Sequence, residues 1–331
     1  MMAGGSRIGA LLRHITSTVR TIVLGALLSL TAVSSVILLG WLMTLMRRRA
    51  LVVAGQVRTV QDQPRWLFGA VDATWLKRFA GGLGRNITGG IAATASLAIA
   101  TFPFAVFWLV SWWAGWENSF NKGYEQAFVG PLVGLAGIAV FVAVMVYLPM
   151  ALVHQAVEQR AFSFFELRRV GSVVAHTGPA YILWSGTSVF LAVPFFLSRA
   201  LPAFGEEFYP GLADFSPEEM AGTATMIKLF VALYLFVTLV ILKHWSAGIY
   251  ARAVQRASTS ADATLWQGSA LVEGTTYSSG KSPWRVARLA RFMVLSAIWT
   301  GLAVLIFVGQ FLNHGWHVWL SHPFIFLPWG M

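Results

Sequence analysis

The sequence predicts an all-α, polytopic integral membrane protein with about six transmembrane helices and short cytoplasmic amphipathic helices. Hydrophobic residues make up 57% of the 331-residue chain and charged residues only 11%, whereas soluble domains carry about 25% charged residues. The mean hydropathy is +0.67, and the apolar residues gather into six long segments. These observations exclude a soluble globular protein and a disordered chain.

Each apolar segment is long enough to cross the hydrocarbon core of a bilayer, about 30 Å thick, as a helix. We expect one helical transmembrane domain over residues 1–331, with spans at 22–46, 87–114, 128–152, 179–197, 226–249 and 292–312. The connection at 258–282 is rich in Ser, Thr and Gly, a composition typical of a flexible loop. We therefore predict a flexible cytoplasmic loop there.

The first apolar segment, 22–46, is too long for the h-region of a signal peptide, which has about 7–15 residues. It is therefore predicted to be a retained span. Polar residues in its middle leave a second interpretation open, a re-entrant hairpin that returns residues 1–20 to the side of Arg47. A segment of this length is short for two passes, so the single span is favoured. The polar residues concerned are Ser29, Thr31, Ser34 and Ser35.

The distribution of basic residues predicts the orientation. If the connections after spans one, three and five are cytoplasmic, 18 of the 24 Lys and Arg residues lie on that side, as the positive-inside rule requires. Both termini and the acidic segment 203–219 then face outward, and 258–282 faces inward. We therefore expect the basic residues behind the net charge of +11 to interact with anionic headgroups on the cytoplasmic side and not with nucleic acid.

The sequence carries no signature of catalysis. The chain has no cysteine, which excludes disulfides, thiolate metal sites and iron–sulfur clusters. It has no P-loop, G-x-S-x-G or H-E-x-x-H motif, and its predicted spans contain no carboxylate for ion coupling. We therefore predict that the protein is not an enzyme and has no cofactor apart from bound phospholipid.

Histidines are the remaining candidates for a cofactor or a metal. His154 and His244 fall near the cytoplasmic ends of spans three and five, and His176 precedes span four. Two facing imidazoles can ligate haem, but interfacial histidines bonded to water or headgroups explain these positions more simply. We predict no haem, and we expect His154→Ala to leave folding nearly intact. Three more histidines lie in the C-terminal tail: His314, His317 and His322. We expect them to belong to a short helix at the membrane surface, and a metal site is the alternative.

Two further patterns concern packing and anchoring. Small residues recur every four positions in spans two and three, a spacing that lets membrane helices approach closely; they are Gly90, Thr94, Ala98, Gly130 and Gly134. Tryptophans and arginines at span ends are typical of membrane anchors. The predicted anchors are Trp108, Trp112, Trp113, Trp116, Trp316, Trp319, Arg47, Arg48 and Arg49.

Two short motifs carry a resemblance. They are Gly40-Trp41-Leu42 followed by Arg47 to Ala50, and Leu148-Pro149-Met150-Ala151 followed by Phe162, Phe164 and Phe165. Over residues 20–255 the chain resembles a loose group of uncharacterised bacterial multi-pass membrane proteins that carry a domain of unknown function. The resemblance implies a bacterial origin, and hence the inner membrane, and brings no catalytic residues.

Taken together, these features predict a non-catalytic accessory or scaffold subunit of a membrane protein complex. Its expected partners are other membrane subunits, or itself as a homo-oligomer, bound through helices and lipid. The alternative is a permease for a small molecule or a lipid, with a cavity between helices kinked at Pro103, Pro149 and Pro194.

Overall fold

The computed structural model describes residues 4–61, 74–114, 129–200, 211, 214–272 and 285–312. Over these ranges the chain is all-α, as predicted, and forms nine α-helices and no β-strand. Five helices contain stretches long and apolar enough to cross a membrane, namely Leu76–Trp112, Val129–Glu158, Pro179–Ser198, Pro217–Ser258 and Val286–Ile306. The helices are α1 (Gly4–Leu28), α2 (Ala32–Val53), α3 (Val57–Gln61), α4 (Trp75–Trp112), α5 (Val129–Glu158), α6 (Leu167–His176), α7 (Pro179–Ala200), α8 (Pro217–Ser258) and α9 (Arg285–Leu312).

The first predicted span is not one helix. It is broken at residues 29–31, and the chain reverses there: Gly25 of α1 and Trp41 of α2 both pack against Phe236 of α8. The turn itself lies one to two helical turns away along α8, beside Lys228 and Ala232. The single helix predicted over 22–46 is therefore wrong, and the segment forms instead the turn of a helical hairpin made by α1 and α2.

The physical reason for the break is local hydrogen bonding. The Ser29 hydroxyl donates to the carbonyl of Gly25, and the Thr31 hydroxyl accepts from the backbone N–H of Ser34 as the N-cap of α2. Short hydroxyl side chains offer the backbone these bonds in place of the helical ones. Helix α1 therefore ends at Leu28 and α2 starts at Ala32. The shared contact with Phe236 shows that the two helices run in opposite directions along α8.

Close backbone contact joins α2 to α4. A Cβ atom on Gly40 would overlap the backbone carbonyl of Asn86, and one on Gly90 would overlap the carbonyl of Val36. Only glycine permits this approach, which increases the van der Waals contact between helices in an apolar medium. The pairs Gly40–Asn86 and Val36–Gly90 also show that α2 and α4 are antiparallel.

Aromatic rings fill the space between α4 and α5. Phe104, Trp108 and Phe141 are fully buried, with all three ring centroids 5.1 Å apart pairwise. Trp108 lies directly on Gly137 of α5. Spacings of this size are favourable for aromatic pairs, so the interior beside Pro103 is packed with side chains.

The longest helices extend beyond a bilayer core. Helix α8 has 42 residues and so measures about 63 Å at 1.5 Å per residue, twice the thickness of the hydrocarbon core. The basic end of the bundle is formed by Arg47–Arg49, residues 154–176 and residues 246–272. There α5 and α8 are buried almost on all sides.

The predicted flexible loop at 258–282 is wrong for the part that the structure describes. Residues 258–272 form a compact turn with a short 3₁₀ helix at Ala263–Trp266. Trp266, Leu271 and Val272 are buried in the main core. The Ser residues that suggested flexibility form turn hydrogen bonds instead, such as the Ser260 hydroxyl to the carbonyl of Ala257. Residues 273–282 lie outside the described ranges.

Candidate functional site

A buried polar network at the basic end is the most elaborate arrangement of titratable side chains in the described residues. It joins the end of α5, the turn before α6, the C-terminal part of α8 and the turn at 258–272. At its centre is His154, whose side chain is completely buried.

Both ring nitrogens of His154 are engaged. Nδ1 lies 2.6 Å from the hydroxyl of Tyr250 on α8, and Nε2 lies 3.0 Å from Oε2 of Glu166. A neutral imidazole satisfies both contacts if Nε2–H donates to the carboxylate and Nδ1 accepts from the phenol. The ring also meets Trp266 edge to face, with centroids 5.8 Å apart.

Glu166 is the charged hub of the network. Besides His154, its carboxylate pairs with Arg160 at 2.7 Å and with Arg169 at 3.2 Å. Partial burial opposes ionisation of this carboxyl, but the hydrogen bond from His154 and the positive charges of Arg169 and Arg160 outweigh it and lower the pKa of Glu166. Glu166 is therefore a carboxylate at neutral pH, as an acceptor of three donors must be.

A second cluster links α6 to the turn at 258–272. The Ser172 hydroxyl donates to Oδ2 of Asp262 at 2.8 Å, and Nδ1 of His176 lies 3.8 Å from the same oxygen. His176 also bonds through Nδ1 to the carbonyl of Ser172. The contacts place both side chains on the face of α6 that is packed into the core.

Arginines from two other helices cap the C-terminus of α6. Arg256 of α8 donates to the carbonyl of His176, and Arg291 of α9 donates to those of Val174 and Ala175. Cations at this end complement the helix dipole and satisfy carbonyls that have no partner within the helix. Gly178 follows with φ of +68°, the left-handed conformation that commonly ends a helix.

Two further bonds join α2 and α4 to the end of α5. Arg47 donates to the carbonyl of Val157 at 2.8 Å, and Gln155 donates to the Ser96 hydroxyl of α4 at 2.9 Å. Burial lowers the pKa of Arg47, and the nearby charge of Glu158 opposes that effect. Six helices and two turns of the chain are thus held together by polar contacts at one end of the bundle.

The geometry determines what the network can do chemically. A hydrogen-bonded tyrosine, histidine and glutamate resemble the parts of an activated nucleophile, but the Tyr250 side chain is enclosed, with no exposed surface. Its hydroxyl is in hydrogen-bond contact with His154 and its ring packs against Trp266. The arrangement therefore supports a structural role in cross-linking helices.

The two histidines considered as a candidate pair, His154 and His244, lie in different surroundings. His154 is buried and bonded within the protein, so the interpretation of it as an interfacial residue bonded to water or headgroups is wrong. His244 is exposed and belongs to the outer surface of α8. In the described ranges no group of three or more His, Asp or Glu residues is arranged to hold a metal ion. His314, His317 and His322 lie outside those ranges.

The structure buries some residues of the predicted small-residue faces and exposes others. Gly130 and Gly134 are buried on α5, where the Ser111 hydroxyl of α4 donates to the carbonyl of Gly130. Gly90 contacts α2 and Thr94 is half-buried, but Ala98 is exposed. The stripe through Ala98 is therefore wrong as a packing face within this chain, because α4 buries the neighbouring line of residues that includes Ala93, Leu97 and Phe104.

The predicted anchors also divide. Trp108 is a core residue, so its assignment as a membrane anchor is wrong, while Trp113 is 55% exposed and Trp112 is half-buried. The arginines bind protein groups: Arg47 bonds to Val157, and Arg48 donates to the carbonyl of Val60 in α3. Arg49 is half-buried beside Gly248. Trp116, Trp316 and Trp319 lie outside the described residues.

Sequence reasoning missed Tyr250, Glu166 and Asp262. The available signal was Glu166 between Arg160 and Arg169, an acid isolated among bases on the side where bases predominate. Nothing in the spacing of Tyr250 shows that it faces His154, 96 residues away. Comparison of the chain with protein-family models, with curated proteins and with solved structures gave no match.

Proposed function

We propose that this protein is a non-catalytic accessory or scaffold subunit of a membrane protein complex that binds partner helices and lipid. The observation that carries the proposal is the closed network around His154. It uses the buried titratable side chains of the basic end to join helices that are far apart in sequence. A rigid end of this kind suits a subunit that presents fixed surfaces to others.

The sides of the bundle supply surfaces for partner helices and lipid. Large aromatic side chains project outward from three helices: Phe102 of α4 is 67% exposed, Phe190 of α7 74% and Phe230 of α8 71%. Lipid chains cover such surfaces at no cost, and neighbouring helices compete for them by van der Waals packing. Bound phospholipid and either other subunits or a second copy of the chain are the proposed occupants.

The reversal between α1 and α2 supports a revised orientation. We place the basic end and the N-terminus together on the cytoplasmic side of a bacterial inner membrane, with the C-terminus outside. Arg7, Arg13 and Arg20 then join the cytoplasmic count, which becomes 21 of the 24 Lys and Arg residues. This distribution obeys the positive-inside rule better than one with both termini outside.

The permease alternative has less support. The interior beside Pro103 is filled by Phe104, Trp108 and Phe141. A groove of about 240 Å³ lies between the turn at residues 29–31 and α8, away from the basic end, and its walls are mainly apolar. Alternating access requires a polar site near the midplane, and the groove is not of that kind.

Site-specific photo-cross-linking tests the scaffold proposal. A benzophenone amino acid is placed in turn at positions 102, 190 and 230. At least one of these positions is expected to give a discrete adduct with another protein in cells. The matched control is the same amino acid at Phe141, which is buried, so that intermolecular adducts there should be lacking. Native mass spectrometry in a mild detergent should show the corresponding assembly. Lipid adducts alone at all three exposed positions, together with a monomer mass, would refute the proposal.

A further inference from the structure

An exposed aromatic segment comprises the turn between α5 and α6 and the first two residues of α6. It covers residues 160–168 and is named the aromatic turn. Phe162 is 83% exposed, Leu167 66% and Phe165 37%. Three large apolar side chains within six residues form a patch that water solvates poorly.

The patch is held rigidly. Phe164, between the exposed rings, is fully buried, and its carbonyl accepts a hydrogen bond from the hydroxyl of Tyr147. The carbonyl of Ala161 accepts from Nε2 of Gln155. The exposure of Phe162 and Phe165 is therefore imposed by the fold.

These bonds also determine the depth of the turn. After α5 ends at Glu158 the chain folds back along the same helix, so that Ala161 lies level with Gln155 and Phe164 beside Tyr147. Gln155 in turn bonds to Ser96, which lies in the apolar stretch Leu76–Trp112 of α4. The aromatic turn is thus packed beside α4 and α5, two helices that are long and apolar enough to cross a membrane.

Helix α4, which packs beside the turn, also has exposed apolar side chains. Ile91 is 57% exposed and Ile99 61% exposed, on either side of Ser96. Exposed apolar side chains on the turn and on the helix packed beside it fit lipid.

Basic side chains flank the patch. The side chain of Arg160 is 56% exposed, and it pairs with Glu166, as does Arg169. Arg168 is exposed as well, and no ion pair within the described residues involves it. Apolar side chains beside an available guanidinium match the two layers of an anionic leaflet, the acyl chains and the phosphates.

We propose that the aromatic turn is an anchor seated in the headgroup layer of an anionic leaflet. Phe162, Phe165 and Leu167 enter the upper acyl region and Arg168 binds a lipid phosphate. The inference deepens the lipid-binding part of the proposed function and rests on it, but it does not require a partner subunit.

Single-cysteine labelling tests the depth, because the chain has no natural cysteine. The probe is a nitroxide on Ala161→Cys, which leaves both exposed rings in place, in purified protein in nanodiscs of phosphatidylglycerol and phosphatidylcholine. We expect collisions with oxygen to exceed those with a polar nickel chelate. The matched control is Gln267→Cys, an exposed polar position at the same end, which should behave as aqueous.

A second set of variants tests the cause of that depth. Replacing Phe162 and Phe165 together by Ser should make the label at position 161 aqueous without changing the label at position 267. An aqueous label at position 161 in the parent protein would overturn the proposed anchor. That result is also the one expected if a partner protein, and not lipid, covers the turn in cells. The photo-cross-linking result is independent of this outcome, because it reports on other surfaces.

The headgroup is tested by quenching of a bimane label on the Ala161→Cys variant with brominated lipids. Brominated phosphatidylglycerol should quench more than brominated phosphatidylcholine, and Arg168→Gln should lower that preference by up to about fivefold, as expected for one surface arginine. Arg58→Gln, the same change of charge at an exposed residue of α3, serves as the control. Equal quenching by both lipids, or equal effects of the two variants, would refute the role of Arg168.

Discussion

His154→Ala is the sharpest test of the network at the basic end. The sequence alone led to the expectation that this change leaves folding nearly intact, and the structure reverses it. The substitution removes a fully buried side chain and leaves the enclosed hydroxyl of Tyr250 without its acceptor. It also deprives Glu166 of a donor.

The magnitude follows from these losses. A buried polar group left without a partner costs about 1–3 kcal/mol, and the edge-to-face contact of the imidazole with Trp266 contributes about 0.5–1.5 kcal/mol if it resembles other aromatic pairs. We therefore expect the free energy of unfolding to fall by about 2–4 kcal/mol. Tyr250→Phe should cost about 1–3 kcal/mol, because Nδ1 of His154 then lacks its donor.

The assay is reversible unfolding in mixed micelles with increasing SDS, followed by tryptophan fluorescence. The double variant of His154→Ala and Tyr250→Phe should cost less than the sum of the single variants, because both remove the same hydrogen bond. His244→Ala is the matched control, since that ring is exposed, and it should change stability by less than about 0.5 kcal/mol. If His154→Ala is as mild as His244→Ala, the network does not hold the helices together.

Three further predictions concern packing, pH and orientation. Gly40→Ala should destabilise the protein by about 1–3 kcal/mol or more, since a Cβ there overlaps the backbone of Asn86. Gly186→Ala, with open space at its Cβ, should be tolerated in the same unfolding assay. Equal stability of the two variants would contradict the close crossing of α2 and α4. Because the pKa of Glu166 is lowered in the folded protein, its contribution to stability should be complete above the ordinary glutamate pKa of about 4.3 and be lost as the pH falls below that value. The pH–stability profile of Glu166→Gln should therefore be flatter over that window. An unchanged profile would exclude the Glu166 carboxylate as the cause of the acid-dependent loss of stability. In intact bacteria an impermeant thiol reagent should label Ser216→Cys and spare Gln267→Cys, and the reverse pattern would invert the proposed orientation.

Much of the architecture was predictable because the bilayer restricts it. A chain with 57% hydrophobic residues in segments of 20 residues or more can satisfy its backbone in lipid only as helices or closed barrels. The helical class and the positions of five apolar helices therefore follow from composition and segment length alone. The four-residue spacing of Gly130 and Gly134 also predicted a face for close helix packing. The sequence did not decide whether that face packs within the chain or against a partner, and the structure buries both residues within the chain.

The first segment shows where such reasoning ends. Its length suits a single span, while Ser29 and Thr31 permit a turn, and local sequence does not weigh one against the other. Phe236 decides between them, because Gly25 and Trp41 both pack against that one ring. The prediction of a flexible loop at 258–282 failed for a related reason, since a Ser-rich composition does not show that Trp266 is buried in the core.

By itself the sequence determined the membrane class, the helical secondary structure and the concentration of basic residues at one end, because each depends on composition and on the spacing of neighbouring residues. Only the tertiary structure decided that His154 is a buried cross-link. Its partner Tyr250 is 96 residues away in the chain, and the two meet only because α5 and α8 pack side by side. The same holds for Trp108, which is a core residue rather than an anchor because Gly137 of another helix leaves room for its ring. Contacts between distant segments depend on the whole set of packed helices, and no local pattern encodes them.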